Sequence, residues 1–380
     1  MTDGVSDGTP DGTAGRSDLE SALTAVLKSR SAAAFVHAGT DADPAVTYCR
    51  AIADAGAAVR TGSGHDIAAI AYDGDEWLGR SAASVADSAS HPAAELATAL
   101  SDRGCDGTVL APPRIPHDAA LYLENAGFDL ASTDVVARAR AAKTGRERDR
   151  IANAQTAASA GLRRAAALLA DATVRDEDDR LVTGDESGPV TTDRLRTAID
   201  EAIVSAGAFP AGNTAINPDS GVDVLRSGEP IVVAVAPRGP AGYHGGLVRT
   251  LVVDSDGGRE RRTHVAVTQA FRSSRAMLSA DTASVTAVEA DLEAEIRAFG
   301  EQGGIETRVT GVGLESRERP MAGSEEIGPG SVVRLDAGVR VADEPATQWL
   351  RLADLFVKTT DGIERFDAPS RSLQPTALLE

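Results

Sequence analysis

Residues 230–253 read Pro-Ile-Val-Val-Ala-Val-Ala-Pro-Arg-Gly-Pro-Ala-Gly-Tyr-His-Gly-Gly-Leu-Val-Arg-Thr-Leu-Val-Val. Two apolar, β-branched runs, Pro230–Ala236 and Leu247–Val253, flank a loop of glycines and prolines. That pattern predicts two strands joined across a turn. No Asp or Glu lies between Ile231 and Val253. Upstream, Gly145–Ala172 sets Ile151, Ala154, Ala158, Leu162, Ala165 and Leu169 along one helical face. Thr192–Gly207 follows with Leu195, Ile199 and Ile203 at four-residue spacing, and Gly207 closes it. Between them, Arg175–Ser187 reads as an acidic, solvated loop. Downstream, helices are predicted over Thr263–Ser279 and Ser284–Phe299, then strands over Ile305–Thr310, Ser331–Val341 and Leu350–Lys358. Helix, helix, strands, helix, helix, strands is a rough duplication. It predicts an α+β domain with helices on one face of a curved antiparallel sheet.

The segment before residue 141 alternates differently. Ser17-Asp18-Leu19-Glu20 has the form of a capping box, and Leu19, Leu23, Val26 and Leu27 follow at helical spacing. Strands are predicted at Ala33–Val36, Ile67–Tyr72 and Thr108–Ala111, and helices at His91–Asp102 and Pro116–Glu124. This is a small α/β domain over residues 17–140, without a phosphate-binding glycine loop or paired catalytic residues. Residues 1–16, acidic and rich in Gly, Ser and Thr, are expected to be a disordered tail. Residues 369–380 are expected to be a C-terminal tail.

The chain has 380 residues, enough for about two domains, and 42% hydrophobic residues, enough to build cores. Its 57 acidic and 38 basic residues leave a net charge of −19. Only Lys28, Lys143 and Lys358 are lysines. Acid excess with scarce lysine suits a salt-rich cytosol, where counterions screen self-repulsion, and it argues against a nucleic-acid partner. No stretch approaches the ~20 apolar residues of a membrane span, and the first residues lack the form of a signal peptide. A cytoplasmic location is expected. Cys49 and Cys105 make no disulfide framework, and none of the six histidines stands at a metal-binding spacing.

Three segments carry a resemblance: residues 230–253; Thr-Gly-Val-Gly-Leu-Glu-Ser-Arg-Glu-Arg-Pro at 310–320; and Arg-Leu-Ala-Asp-Leu-Phe-Val-Lys-Thr-Thr-Asp-Gly at 351–362. Together they resemble the pita-bread metallopeptidase family of Xaa-Pro aminopeptidases, prolidases, methionine aminopeptidases and creatinase, over about residues 140–368. The preceding region is similar to the smaller α/β N-terminal domain of the prolidase and creatinase branch. Arg138–Ile151, with Lys143 and Glu147, resembles its inter-domain junction. The resemblance implies a pita-bread domain over 141–368.

Active members of that family hold two divalent metals with Asp, Asp, His, Glu and Glu. Two hard cations need carboxylates, and they acidify a bridging water for attack on a peptide carbonyl. Carried over residue by residue, the first Asp position is Ala234, followed by Pro237 and Arg238. The second is Gly246, although Gly242, Tyr243, Arg249 and Thr250 match. The His position is Thr310, although Gly311, Gly313 and Leu314 match. The first Glu position is Asp336, and the last is Ala353, before Asp354. One proton-handling histidine is Arg317, with Glu318 and Pro320 retained; the other falls near Pro218-Asp219 without a histidine.

One carboxylate and a threonine do not hold a dimetal centre, so no cofactor is expected. The reading is a catalytically inactive homologue of Xaa-Pro aminopeptidase and prolidase that binds a peptide or protein, or serves as a scaffold. Two alternatives stay open. One is a divergent aminopeptidase using two divalent metals (Mn, Co or Zn). The other is a metal-free hydrolase like creatinase, with His244 moving the proton. The remnant cleft comprises Tyr243, His244, Arg249, Arg317, Glu318 and Asp336. Arg249-Thr250 is expected to pack and hydrogen-bond the sheet. Arg317 is expected to pair internally with Asp336 or Glu318, the other role being to bind an anion such as a peptide carboxylate. Expected partners are a peptide or small carboxylate, and a second copy of the chain or an active paralogue.

Overall fold

The computed structural model describes residues 12–53, 67–81, 91–175, 178–183, 188–218, 221, 223–280, 283–301, 303–342 and 348–380. The chain divides into two units, Met1–Arg140 and Ala141–Glu380. Among the described residues no helix is long and apolar enough to cross a membrane.

In the first unit the order is α1 (Gly12–Arg30), β1 (Ala34–Gly39), α2 (Pro44–Ala53), β2 (Ala68–Tyr72), β3 (Trp77–Ser81), α3 (Pro92–Asp102), β4 (Thr108–Ala111), α4 (His117–Asn125), β5 (Asp129–Ser132) and α5 (Val135–Ala139). The sheet runs β3-β2-β1-β4-β5. Its β1, β4 and β5 are parallel, and β2 and β3 are antiparallel additions at one edge. Val36, Leu96, Leu100, Val109 and Leu123 share its core. α1 begins at Gly12, five residues before the expected start, so Ser17 lies inside the helix rather than at its N-terminus. Glu20 instead accepts a 3.0 Å hydrogen bond from Trp77 Nε1. The expected N-terminal tail falls mostly on residues 1–11, outside the described residues.

In the second unit the order is α6 (Gly145–Ala170), β6 (Thr173–Arg175), β7 (Arg180–Val182), α7 (Thr192–Ser205), β8 (Thr214–Ile216), β9 (Ile231–Val235), β10 (Leu247–Leu251), α8 (Arg259–Leu278), α9 (Val285–Ala298), β11 (Ile305–Gly311), β12 (Val332–Ala342), β13 (Gln348–Lys358) and β14 (Ile363–Arg365). One antiparallel sheet runs β11-β12-β13-β10-β9-β8, with β14 paired to β13.

Strand side chains alternate between faces, and the packing shows which face is which. Val333, Leu335, Ala337 and Val339 of β12 and Leu350, Leu352 and Phe356 of β13 pack with Phe271 of α8 and Leu292 of α9. Ile231, Val233, Leu247 and Leu251 pack with Leu162 of α6 and Ile199 of α7. All four helices therefore cover one face. Even-numbered positions of β9, β10 and β12 and odd-numbered positions of β13 turn to the other face.

Two expectations need correction. Arg175–Ser187 starts on the last residue of β6 and contains β7, which pairs with it and buries Leu181, so its described part is not a plain solvated loop. Residues 176–177 and 184–187 lie outside the described residues. Residues 369–380 are not a tail either. Leu373 and Leu378 are buried in the two helix-face cores, and the carbonyls of Pro369 and Ser370 accept hydrogen bonds from Arg249. A polar spelling with two prolines hid them because the segment is tied in through its own backbone carbonyls, which leave no residue signature.

Candidate functional site

α6 opens on Thr144, whose hydroxyl accepts from Glu147 N while Glu147 Oε2 accepts from Thr144 N at 2.9 Å. This reciprocal capping fixes the Glu147 side chain. Its other oxygen accepts a 3.0 Å bond from the Tyr243 hydroxyl. The Arg150 guanidinium lies 5.5 Å over the Tyr243 ring. Burial, and then the Glu147 charge, push the Tyr243 phenol far above the usual tyrosine range, so it is a fixed donor. One turn further, Gln155 Oε1 accepts from Gly246 N at 2.9 Å. At Gly245 an added Cβ would stand 2.7 Å from Ala154 O, so only glycine allows the loop to lie this close to the helix. The loop between β9 and β10 is thereby fastened along α6.

A second fastening joins the loop after β11. Lys143 Nζ meets Glu318 Oε1 at 2.7 Å with side-chain exposures of 1% and 5%. Glu318 Oε2 accepts from Glu315 N at 3.2 Å. A Cβ at Gly313 would collide with the Glu318 carboxylate. His244 donates its backbone N–H to Gly313 O at 2.8 Å and sets Nδ1 3.4 Å from the same oxygen. The ring is buried, and burial lowers its pKa, which keeps the imidazole neutral. Tyr243, His244 and Glu318 are thus joined to Lys143, Glu147 and Gly313 as ties between two loops and one helix.

The expected metal-ligand positions come together on the face opposite the helices. Ala234 stands opposite Val248, and Val248 opposite Ala353. Ala353 stands opposite Asp336, which in turn faces Arg308; Thr310 faces Arg334. Paired residues of antiparallel strands project to the same side. Gly246, at the entrance to β10, joins them: a Cβ there would lie 3.6 Å from Arg334 Nη1.

What these positions hold is not a metal cage. Ala234 and Ala353 pack with Val232, Val248 and Trp349 in a small apolar cluster. Asp336 Oδ2 is engaged by Arg334 Nη2 at 2.7 Å. Arg334 is itself buried, and among the described residues its Nε–H has no partner. Two divalent cations do not fit this set, since four positions lack a donor carboxylate or imidazole and a guanidinium lies against the fifth. Among the described residues no three His, Cys, Asp or Glu side chains converge as a metal ligand group.

Two site expectations are corrected. Arg249 is not part of this face. As an odd-numbered residue of β10 it turns toward the helices, is 0% exposed, and bonds Asp354 Oδ1 at 2.7 Å. Arg317 does not form the expected internal pair. It is exposed, and Glu318 and Asp336 are taken by Lys143 and Arg334. Among the described residues Arg317 has no ion pair. Arg334 was missed, although period-2 alternation from Asp336 places residue 334 on the same face. Trp349 was missed for want of a motif; it lies 3.4 Å from the Cβ position of Gly338, where the lack of a side chain lets the ring rest on the sheet.

The model of metallopeptidase family M24 matches residues 149–361, more than half of the chain. A search of curated protein sequences finds no match. Among solved structures, the prolidase from Pyrococcus furiosus is similar at 18% identity over 92% of this chain and 100% of that one, with a TM-score of 0.67. The X-Pro aminopeptidase from Thermotoga maritima MSB8 is similar at 13% identity over 90% of this chain and 98% of that one, with a TM-score of 0.71. The N-terminal domain of FACT complex subunit SPT16 from Cicer arietinum is similar at 14% identity over 96% of this chain and 99% of that one, with a TM-score of 0.68. At these identities the likeness establishes the pita-bread fold.

Proposed function

The chain belongs to metallopeptidase family M24, and we propose that it is a catalytically inactive member that binds a peptide, a protein or a small acid on the scaffold of an Xaa-Pro aminopeptidase. The observation that carries this reading is the occupancy of the ligand positions. Ala234 and Ala353 complete an apolar cluster, and Asp336 is neutralised by Arg334. A carboxylate already bound to a buried guanidinium is a poor ligand, because a divalent cation would have to displace one charge and tolerate its repulsion.

The scaffold residues survive for a separate reason. Tyr243 ties one loop to Glu147 of α6 and Glu318 ties the other to Lys143 just before it, so both remain necessary when chemistry is gone. The same contacts count against a metal-free hydrolase, since His244 is buried, neutral and turned toward a backbone carbonyl. The solved structures of this fold include a domain of a FACT complex subunit beside the peptidases, in keeping with a binding role. A cytoplasmic location, and work as a homodimer or beside an active paralogue, belong to the same proposal.

Hydrolysis tests it. Purified protein incubated with X-Pro dipeptides and Mn, Co or Zn is expected to release no amino acid above a protein-free control. Chelator-sensitive release would overturn the reading.

A further inference from the structure

The charge on the face opposite the helices is reversed relative to a carboxylate cage. Arg334 sits at its centre, about nine-tenths buried, with Nη2 on Asp336 at 2.7 Å, Nη1 beside Gly246 and Nε–H unpartnered among the described residues. Arg308 stands opposite Asp336 in the ladder, and Arg351 stands opposite Gly338, two residues along β12. Arg317 rises from the loop after β11, exposed and without an ion pair among the described residues. Beside the arginines lies the dry patch of Val232, Ala234, Val248 and Ala353, with Trp349 held under Arg351 at 4.6 Å from guanidinium to ring centre.

A buried N–H with no acceptor costs free energy that a ligand oxygen would recover. Arg334 is paired with Asp336 and Arg351 with Glu306, so of the four it is Arg308 and Arg317 that have no ion pair among the described residues and can meet an added negative group. We propose that Arg334 and Arg317, flanked by Arg308 and Arg351, form a binding site for a small multivalent oxyanion, carboxylate or phosphate, at the place where relatives hold metal. This rests on the proposed loss of metal chemistry and names the ligand class. Arg334 supplies the buried, fixed donors beside the apolar patch, and Arg317 supplies an exposed second guanidinium. Guanidinium forks suit such groups because they present parallel N–H bonds to two oxygens. Burial and repulsion from Arg308 and Arg334 hold Arg317 below the ordinary arginine value, with Asp336 as the attracting carboxylate; a bound anion relieves that repulsion.

The test is calorimetric titration of the full chain with citrate and with inorganic phosphate, in chloride at constant ionic strength. One site per chain is expected. Arg317→Gln, at an exposed position that the fold does not need, is expected to weaken binding roughly tenfold or more, and Arg334→Gln to abolish it. Arg196→Gln, on α7 in an exposed pair with Asp193, is expected to change nothing. Citrate alone or phosphate alone identifies the class. No heat with either, or equal binding by Arg317→Gln and wild type, overturns the inference. These failures are separate from that of the proposed function: a protein that takes up metal and cleaves X-Pro peptides refutes the latter, whereas an inert protein that ignores both anions refutes only the site.

Discussion

Asp354→Ala is expected to cost the second unit about 3–5 kcal/mol, the range for removing one partner of a buried charge pair. Asp354 is 0% exposed and serves three guanidiniums. Oδ1 takes Arg249 Nη2 at 2.7 Å, and Oδ2 takes Arg371 Nε at 2.6 Å. All five N–H donors of Arg249 are used, the others going to the carbonyls of Val248, Ala353, Pro369 and Ser370. Remove the carboxylate, and a fully buried guanidinium keeps its charge with only neutral acceptors. Typical domains are stable by about 5–15 kcal/mol, so most of that margin is at risk. Urea denaturation reads the effect, and a loss below about 1 kcal/mol would show that solvent reaches the cluster.

The same residue sets a pH dependence. Burial alone would raise the Asp354 pKa, but attraction to Arg249, Arg371 and Arg365 outweighs it, so the native value lies below the ordinary 3.8. A depressed carboxylate stabilises the fold above its unfolded pKa, and that contribution is lost as pH falls through the native value. Wild type should therefore hold its contribution down to about pH 4 and lose it below, whereas Asp354→Asn should lack that acid-dependent loss.

Lys143→Met is expected to cost a similar 3–5 kcal/mol, for a reason that a second substitution exposes. It leaves Glu318, 5% exposed, still accepting from Glu315 N but without the lysine cation at 2.7 Å. The double variant Lys143→Met, Glu318→Gln keeps an acceptor for Glu315 N while removing both charges. It should regain most of the loss, because replacing both partners of a buried ion pair by uncharged groups of like size is often neutral, whereas removing one is not. Thermal melts of the three proteins decide it. A double variant no better than Lys143→Met would mean that the lysine stem, rather than its charge, fixes the loop.

The fold was legible because its helices and strands have strong periodic spelling. Ile151, Leu162 and Leu169 are all buried where the 3.6-residue pattern puts them. α2 spans only 10 residues, so its buried Val46, Tyr48, Cys49 and Ile52 have too few turns over which to repeat the helical period, and its cap is Asp43, whose Oδ1 accepts from Ala45 N at 2.8 Å. The ligand positions were legible as absences, since their neighbours, Gly242-Tyr243 and Gly311-x-Gly313, keep the register. The partners were not. That Glu318 would take Lys143, 175 residues away, depends on tertiary placement that spacing does not encode, whereas Arg334, two residues from Asp336 on one strand face, was within reach of the alternation. Arg249 was assigned to the cleft by motif, yet strand alternation alone sends it to the helix face.

Ala234, Gly246, Thr310, Asp336 and Ala353 are expected to hold no metal. Elemental analysis after saturation with manganese or zinc, followed by gel filtration in high salt, measures this. A metal-to-chain ratio near zero is expected, unchanged in Asp336→Ala. A ratio of one or two that Asp336→Ala lowers would contradict it.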